Sequence, residues 1–295
     1  MKGWTKNLIS KTKKEKQGSP KANYTITRLI VDGDTVVYTA AFAIEAKIKE
    51  AEETQSDGGK IVEYHAPMFI KFLMESILEK LSKHLKQDAK LIPITYFLTS
   101  NDKSNFRFKV AKTKEYKGNR KEKEKPRCYD ELREYLIKKH RAKVVTGIEA
   151  DDAISIEMRK DPRHTLAIGR DKDFRQIPGW HFWYQTNEKH PKKPYYVELP
   201  GYISLERSAS GTLEVFATGD YQIAYQMLEG DTSDNIPGIV KGWGPMKCYD
   251  ALNCNNVGWK GCPIEHARYV YTLNGKSHDT EVYQLVKLLE KYPND

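Results

Sequence analysis

An α/β fold, with a mostly parallel, Rossmann-like central sheet flanked by helices and a smaller all-helical C-terminal domain, is what this chain predicts. Three observations carry that expectation. Short β-type runs alternate with helical stripes over residues 24–205, the pattern of parallel strands joined by crossover helices. Acidic residues recur just past those runs, where the carboxyl ends of parallel strands share one edge. From about residue 206 the β signal fades and the chain reads as helix and turn.

The elements follow in order. Residues 1–23, with seven lysines against Glu15 over residues 1–21, hold too little apolar content to fold alone and read as a disordered basic tail. Arg28–Val31 (RLIV) is a β-type run ending in Asp32-Gly33-Asp34, and residues 35–50 read as helix. Phe69, Leu73, Ile77 and Leu81 recur at four-residue spacing, the stripe of an amphipathic helix packed on a sheet. Residues 91–98 (LIPITYFL) form a second run, with Pro93 marking its start or a sheet edge. A basic segment, 103–128, comes next. Residues 129–140 read as helix, Lys143–Val145 as a third run leading into Glu149-Ala150-Asp151-Asp152, and Thr165–Ile168 as a fourth leading into Asp171-Lys172-Asp173. HFWYQT and YYVEL, within 181–199, suit an edge hairpin or adjoining strands. Tyr221–Glu229 reads as helix stopped by Gly230, and another helix starts near Lys247.

A chain of 295 residues can bury one good core and a smaller second one. No stretch has the apolar length to cross a bilayer, and the N-terminus lacks a signal-peptide core, which together predict a cytoplasmic protein without a membrane partner. Cys128, Cys248, Cys254 and Cys262 show no paired spacing, so reduced thiols are expected. The net charge of +9 is uneven: residues 103–127 hold eleven Lys/Arg against three Glu, and outside this segment and the tail the chain is net negative. Positive charge gathered in one segment and negative charge in one cluster suit a polyanion held against bound cations.

The negative charge is specific. Asp32, Asp102, Glu149, Asp151, Asp152, Asp171, Asp173, Asp231 and Asp234 fall at run ends and helix starts. Any one of them could be a helix N-cap. Four acidic groups from four strands, brought to one rim, would instead repel one another unless cations or protons neutralise them. Carboxylate oxygens suit Mg²⁺, with Mn²⁺ as substitute, and two such ions can bind both sides of a phosphodiester.

VDGD, EYKGNRK at 115–121, GIEADD at 147–152, RDKDF at 170–174 and GDTSDNIPGI at 230–239 occur in one order. Together they resemble the 5′-nuclease family of flap endonucleases and 5′→3′ exonucleases, from about residue 28 to 252, and the stand-alone phage-type members most. The resemblance implies a PIN/FEN-like fold, two divalent metals held by the nine acids, and Lys117 and Arg120 as the basic pair over the scissile phosphate. It implies an arch or gateway for a single-stranded 5′ end, with Tyr116 stacking on a terminal base and Lys112, Lys114 and Lys121 along the path. It also implies a helix-hairpin-helix grip on duplex through Gly238, Gly242, Gly244 and Lys247, with K⁺ at the hairpin. The implied substrates are DNA with a free 5′ end, 5′-flap DNA and RNA–DNA hybrids, cut by a monomer in replication or repair. Two departures stand out: the hairpin is one residue longer than the usual GVxGIGxK form, and Gln226 occupies a position often Lys.

Other readings start from the same residues. LIVDGDT also reads as the nucleophile motif of haloacid-dehalogenase-type phosphatases, with Asp32 phosphorylated, Asp34 as general acid and Asp231/Asp234 on one Mg²⁺. A non-catalytic DNA-binding protein would need only the basic segment and hairpin, and would gain nothing from carboxylates facing phosphate. Cys248, Cys254, Cys262 and His266 could bind zinc, at a spacing unlike usual fingers.

Overall fold

The computed structural model describes residues 25–54, 57–111, 114–120, 124–184, 193–207, 211–238 and 242–253. Its centre is a six-stranded sheet in the order β3-β2-β1-β4-β5-β6. The strands are β1 (Arg28–Asp32), β2 (Ile94–Thr99), β3 (Lys143–Val145), β4 (Thr165–Gly169), β5 (Gly179–Trp183) and β6 (Tyr195–Val197). β1 to β5 run parallel, and β6 closes the edge antiparallel to β5. The two aromatic runs are thus adjoining strands. β2 lies inside the sheet, and Pro93 precedes its first residue, where a missing amide costs no ladder bond.

β1 shows why the sheet is buried on both faces. Leu29 and Val31 point into one apolar cluster and Ile30 into the other, the two-residue alternation of a strand. On the first face lie α1 (Gly33–Glu53), α3 (Ala66–Leu85) and α5 (Tyr129–His140), with the short α2 (Gly58–Tyr64) beside α1. α1 buries Val36, Val37, Ala40, Ala41, Ile44 and Ile48, and α3 buries Ile70, Met74, Ile77, Leu78 and Leu81. Ile77 and Leu81 of the predicted α3 stripe are buried, while Ile70 and Met74 take the inward positions of its first half and leave Phe69 and Leu73 at the margin of that core. On the second face α6 (Ala150–Lys160) sets Ala150, Ala153, Ile154 and Met158 against Ile30, Phe97 and Ala167.

Beyond the sheet, β7 (Ile203–Arg207) and β8 (Leu213–Ala217) form an antiparallel hairpin across the predicted boundary at 205/206. The region after residue 206 is therefore not helical throughout: Glu214, Val215 and Phe216 extend as strand because each finds a partner in Ser204–Glu206. Then come α7 (Asp220–Glu229), the two-residue pair β9 (Gly230–Asp231) and β10 (Ile236–Pro237), and α8 (Pro245–Leu252). Ile223, Ala224, Met227, Leu228 and Cys248 make a small separate core. α4 (Arg107–Val110) is a single turn inside the basic segment. No helix among the described residues is long and apolar enough to cross a membrane.

Candidate metal centre

Asp171 and Asp173 sit on the short 3₁₀ turn that follows β4, the Asp171 carboxylate accepting the Asp173 amide at 2.8 Å. Asp151 enters from the first turn of α6, and Asp231 and Asp234 from the β9–β10 turn. The five acids form two groups that share Asp173: Asp151/Asp171/Asp173 and Asp173/Asp231/Asp234. Within each, a carboxylate oxygen from every member lies within 4.8 Å of the others. Either group could hold a metal ion, and every donor is a carboxylate oxygen, a set suited to hard divalent cations.

Electrostatics says the same. Burial, then the charges of Asp171 and Asp231, push the Asp173 carboxyl up to about 8. Burial and its neighbours Asp152 and Glu149 drive Asp151 well above the usual carboxylate range. Asp32, at the end of β1, caps α1 by accepting the Thr35 amide at 3.1 Å and the Thr35 hydroxyl. It is buried beside the rim, and burial, Asp34 and Asp171 push it up to about 7. Such a cluster is short of positive charge.

The remaining predicted acids have other partners. Glu149 accepts the Lys117 ammonium at 2.5 Å and the Tyr116 hydroxyl at 2.8 Å. Burial would raise it, but Lys117 and Arg107 hold it below its ordinary value. Asp152 takes a two-pronged bond from Arg107 at 2.6 and 2.8 Å and accepts the Glu149 amide, so its charge is spent inside the fold. Asp102 is a correction to the expected convergence. It is exposed, accepts the Ser104 amide at 2.9 Å and belongs to neither group, because β2 ends three residues earlier at Thr99. Thr99 itself faces inward, its hydroxyl accepting the Ala150 amide. β2 therefore brings a hydroxyl, not a carboxylate, to the rim.

The basic segment reaches the acids through a turn at residues 116–120. Lys117 adopts a left-handed backbone, φ 52°, and its amide donates to the Asp234 carbonyl at 3.0 Å. Asn119 donates to the Thr232 carbonyl and Asn235 to the Glu115 carbonyl, fastening this turn to the β9–β10 loop. Burial would lower the Lys117 ammonium, yet Glu149, Asp234 and Asp151 hold it above its ordinary value. Tyr116 corrects a second expectation. Its ring is buried edge-on against Phe108 and its hydroxyl bonds both Glu149 and Asp234, so it is not free to stack on a base. Lys114 is exposed. Arg120 ends the 3₁₀ turn Gly118–Arg120, while its side chain, Lys112 and Lys121 lie outside the described residues.

At the hairpin, Gly238 packs against its own chain: an added Cβ would meet the Leu228 carbonyl at 2.4 Å. Gly242 has φ +80° with open space around it, and Gly244 is the N-cap of α8, equally open. Lys247 is exposed on the first turn of α8. Cys248 is a buried free thiol in the small core, and the rest of the zinc set, Cys254, Cys262 and His266, lies outside the described residues. Asp34 donates nothing to chemistry at the rim: it accepts the Thr99 amide at 2.9 Å and the Arg133 guanidinium at 3.1 Å. A phosphatase reading needs this carboxyl as a mobile acid, and it is clamped instead.

The roles of three residues at the site escaped the sequence reading. Lys172 donates to Asp231 at 2.8 Å, Gln226 donates to Asp173, and Arg107 holds Asp152. Lys172 had a signal, lying between two of the acids. Gln226 stands where the resembled family often has Lys, a signal for the position but not for its bond to Asp173, and Arg107 had none that distinguishes it from a surface residue.

No protein-family model matches the chain and no curated protein matches it. Among solved structures, a variant flap endonuclease of bacteriophage T5, in a pseudo-enzyme-product complex with DNA and metal ions, is similar at 17% identity and a TM-score of 0.47, over 90% of each chain. The same phage protein crystallised with metal ions gives 17% identity and a TM-score of 0.46, again over 90% of each.

Proposed function

We propose that this chain is a metal-dependent 5′-nuclease, hydrolysing phosphodiesters near free or flapped 5′ ends of DNA. The observation that carries the reading is the pair of carboxylate groups joined at Asp173, with the Lys117 ammonium held beside them by a basic segment. Asp151, Asp171 and Asp173 would hold one Mg²⁺ and Asp173, Asp231 and Asp234 a second, with Asp32 beside them. Bound there, the pair of ions would activate a water and stabilise the leaving oxygen of a phosphodiester.

The chain's own residues have separate tasks. Lys117 supplies the positive charge that a phosphate gaining negative charge requires, with Arg120 as its companion. Tyr116 orients Glu149 and Asp234 through one hydroxyl. Gln226 and Lys172 orient Asp173 and Asp231. Arg107 cancels Asp152, limiting the cluster's excess charge. The exposed Gly242–Gly244 turn and Lys247 would hold duplex backbone, with K⁺ at the turn, and RNA strands of hybrids would be cut as well, in replication or repair. The enzyme acts as a cytoplasmic monomer in this reading.

The test is cleavage of labelled 5′-flap DNA, nicked duplex and RNA–DNA hybrid with and without Mg²⁺. Short 5′ products that disappear with a chelator, and in an Asp173→Asn variant, are expected. Should none of the three be cut in Mg²⁺, the nuclease reading is withdrawn.

A further inference from the structure

Between α1, α3 and the end of β5 lies an open groove of about 1080 Å³, lined by none of the carboxylates of the metal centre. Its walls are aromatic: Tyr38 and Phe42 on α1, Phe72 on α3 and Trp183 at the end of β5. Phe42 and Phe72 are each 60% exposed. The Tyr38 and Phe42 rings lie 6.1 Å apart at 25°, stacked side by side along α1. Tyr38 also packs on the buried Tyr129 ring, but the Phe42 and Phe72 rings face outward, and a face that only needed hydration would not carry them.

Charge and position say what fits. The lining includes two cations, Lys47 and Arg170, and no carboxylate. The groove also runs into the candidate site: Thr35, part of its lining, bonds Asp32, and Arg170 directly precedes Asp171. A buried protein segment would call for a partner with matching apolar residues. A strand whose phosphate lies at the carboxylates would instead find aromatic faces and cations directly beside that centre. Every base has a π-face, and the groove's aromatic rings offer no hydrogen-bonding pattern by which to select one.

We propose that this groove is a stacking cleft for unpaired nucleobases of the strand being cut, with Lys47 and Arg170 against its phosphates. The inference rests on the nuclease reading and names a further contact surface for its substrate. The selectivity it confers is for single-stranded character, not sequence.

The experiment uses the full chain with Ca²⁺ in place of Mg²⁺ and two DNAs, one duplex bearing an unpaired oligothymidine 5′ tail and the same duplex blunt. Phe42 and Phe72 are exposed, so their variants should fold, which thermal melting checks. The double variant Phe42→Ala/Phe72→Ala is expected to bind the tailed DNA at least about fivefold more weakly, with blunt-duplex affinity unchanged. Phe42→Trp/Phe72→Tyr should restore binding. Phe42→Leu/Phe72→Leu, which keeps apolar bulk but no π-face, should not. Unchanged tailed-DNA binding in the alanine variant, equal losses on both DNAs, or full tailed-DNA binding by the leucine pair would each overturn the cleft. Wild-type protein that cuts in Mg²⁺ while the alanine variant binds normally removes the cleft alone. Wild-type protein that binds the tail through these rings but never cuts removes the nuclease reading and leaves the cleft.

Discussion

Lys117 illustrates how one residue can be found from sequence while its neighbours are misread. Its place in a basic run between acidic motifs marked it, and in the fold its ammonium lies 2.5 Å from Glu149. In the nuclease reading, Lys117→Ala should lower kcat about 10²–10³-fold, the scale for losing one group aimed at developing charge, with little change in DNA affinity. Single-turnover cleavage beside equilibrium binding checks this, and parallel losses in both would make Lys117 a docking residue. Tyr116 adjoins it, and no sequence signal could tell a stacking ring from one whose hydroxyl bridges two carboxylates, since both uses want an aromatic with a polar tip. Asp152 and Asp102 were legible as acids but not as to partner. Arg107, 45 residues before Asp152, takes the first, and a turn three residues beyond the end of β2 carries off the second. Partner choice is a three-dimensional property.

At the scale of elements, the strand–acid–helix unit was the legible part. β1, β4, α5 and α7 lie where periodicity and capping signals put them, because each strand buries on both faces and each helix along one stripe, and the exposed edge strand β3 lies where its short β-type run put it. β7 and β8 were not legible: they are stabilised by each other, and that pairing leaves a weak mark in either segment alone. The junction of β1 and α1 is tight. A Cβ at Gly33 would stand 2.7 Å from the Phe97 carbonyl and 2.9 Å from Leu98 Cδ2, and the strand backbone cannot give way. Gly33→Ala should therefore cost on the order of 1–3 kcal/mol of stability and displace Asp32, lowering cleavage further. Urea denaturation and a cleavage assay measure the two effects, and a variant of wild-type stability would show that this contact relaxes freely.

Across the whole molecule, the carboxylates bind folding to pH and to cations. Asp32 at about 7 and Asp173 at about 8 are both raised from the ordinary value near 4, so the fold favours their protonated forms. The stability they contribute is present in full below a pH of about 4 and is lost as pH rises through about 7 and about 8. Metal-free protein should thus melt at progressively lower temperature from pH 5 to pH 8.5. Mg²⁺ should reverse the loss: a hundredfold excess over Kd contributes about 2.7 kcal/mol, roughly 5–10 °C in Tm for a domain of this size. Asp173→Asn should flatten both responses, and a melting temperature at pH 8 that ignores Mg²⁺ would count against the metal centre. The sequence by itself determined the parallel α/β order, the positions where acids leave the strands, and the concentration of positive charge in residues 103–127, because these depend on local periodicity and composition. Only the tertiary structure decided that five of the nine acids gather around Asp173, that Arg107 and Lys117 claim two others, and that Asp102 stays outside. Those outcomes are set by which oxygens lie within a few ångströms of which charges, a distance fixed by packing between residues far apart along the chain.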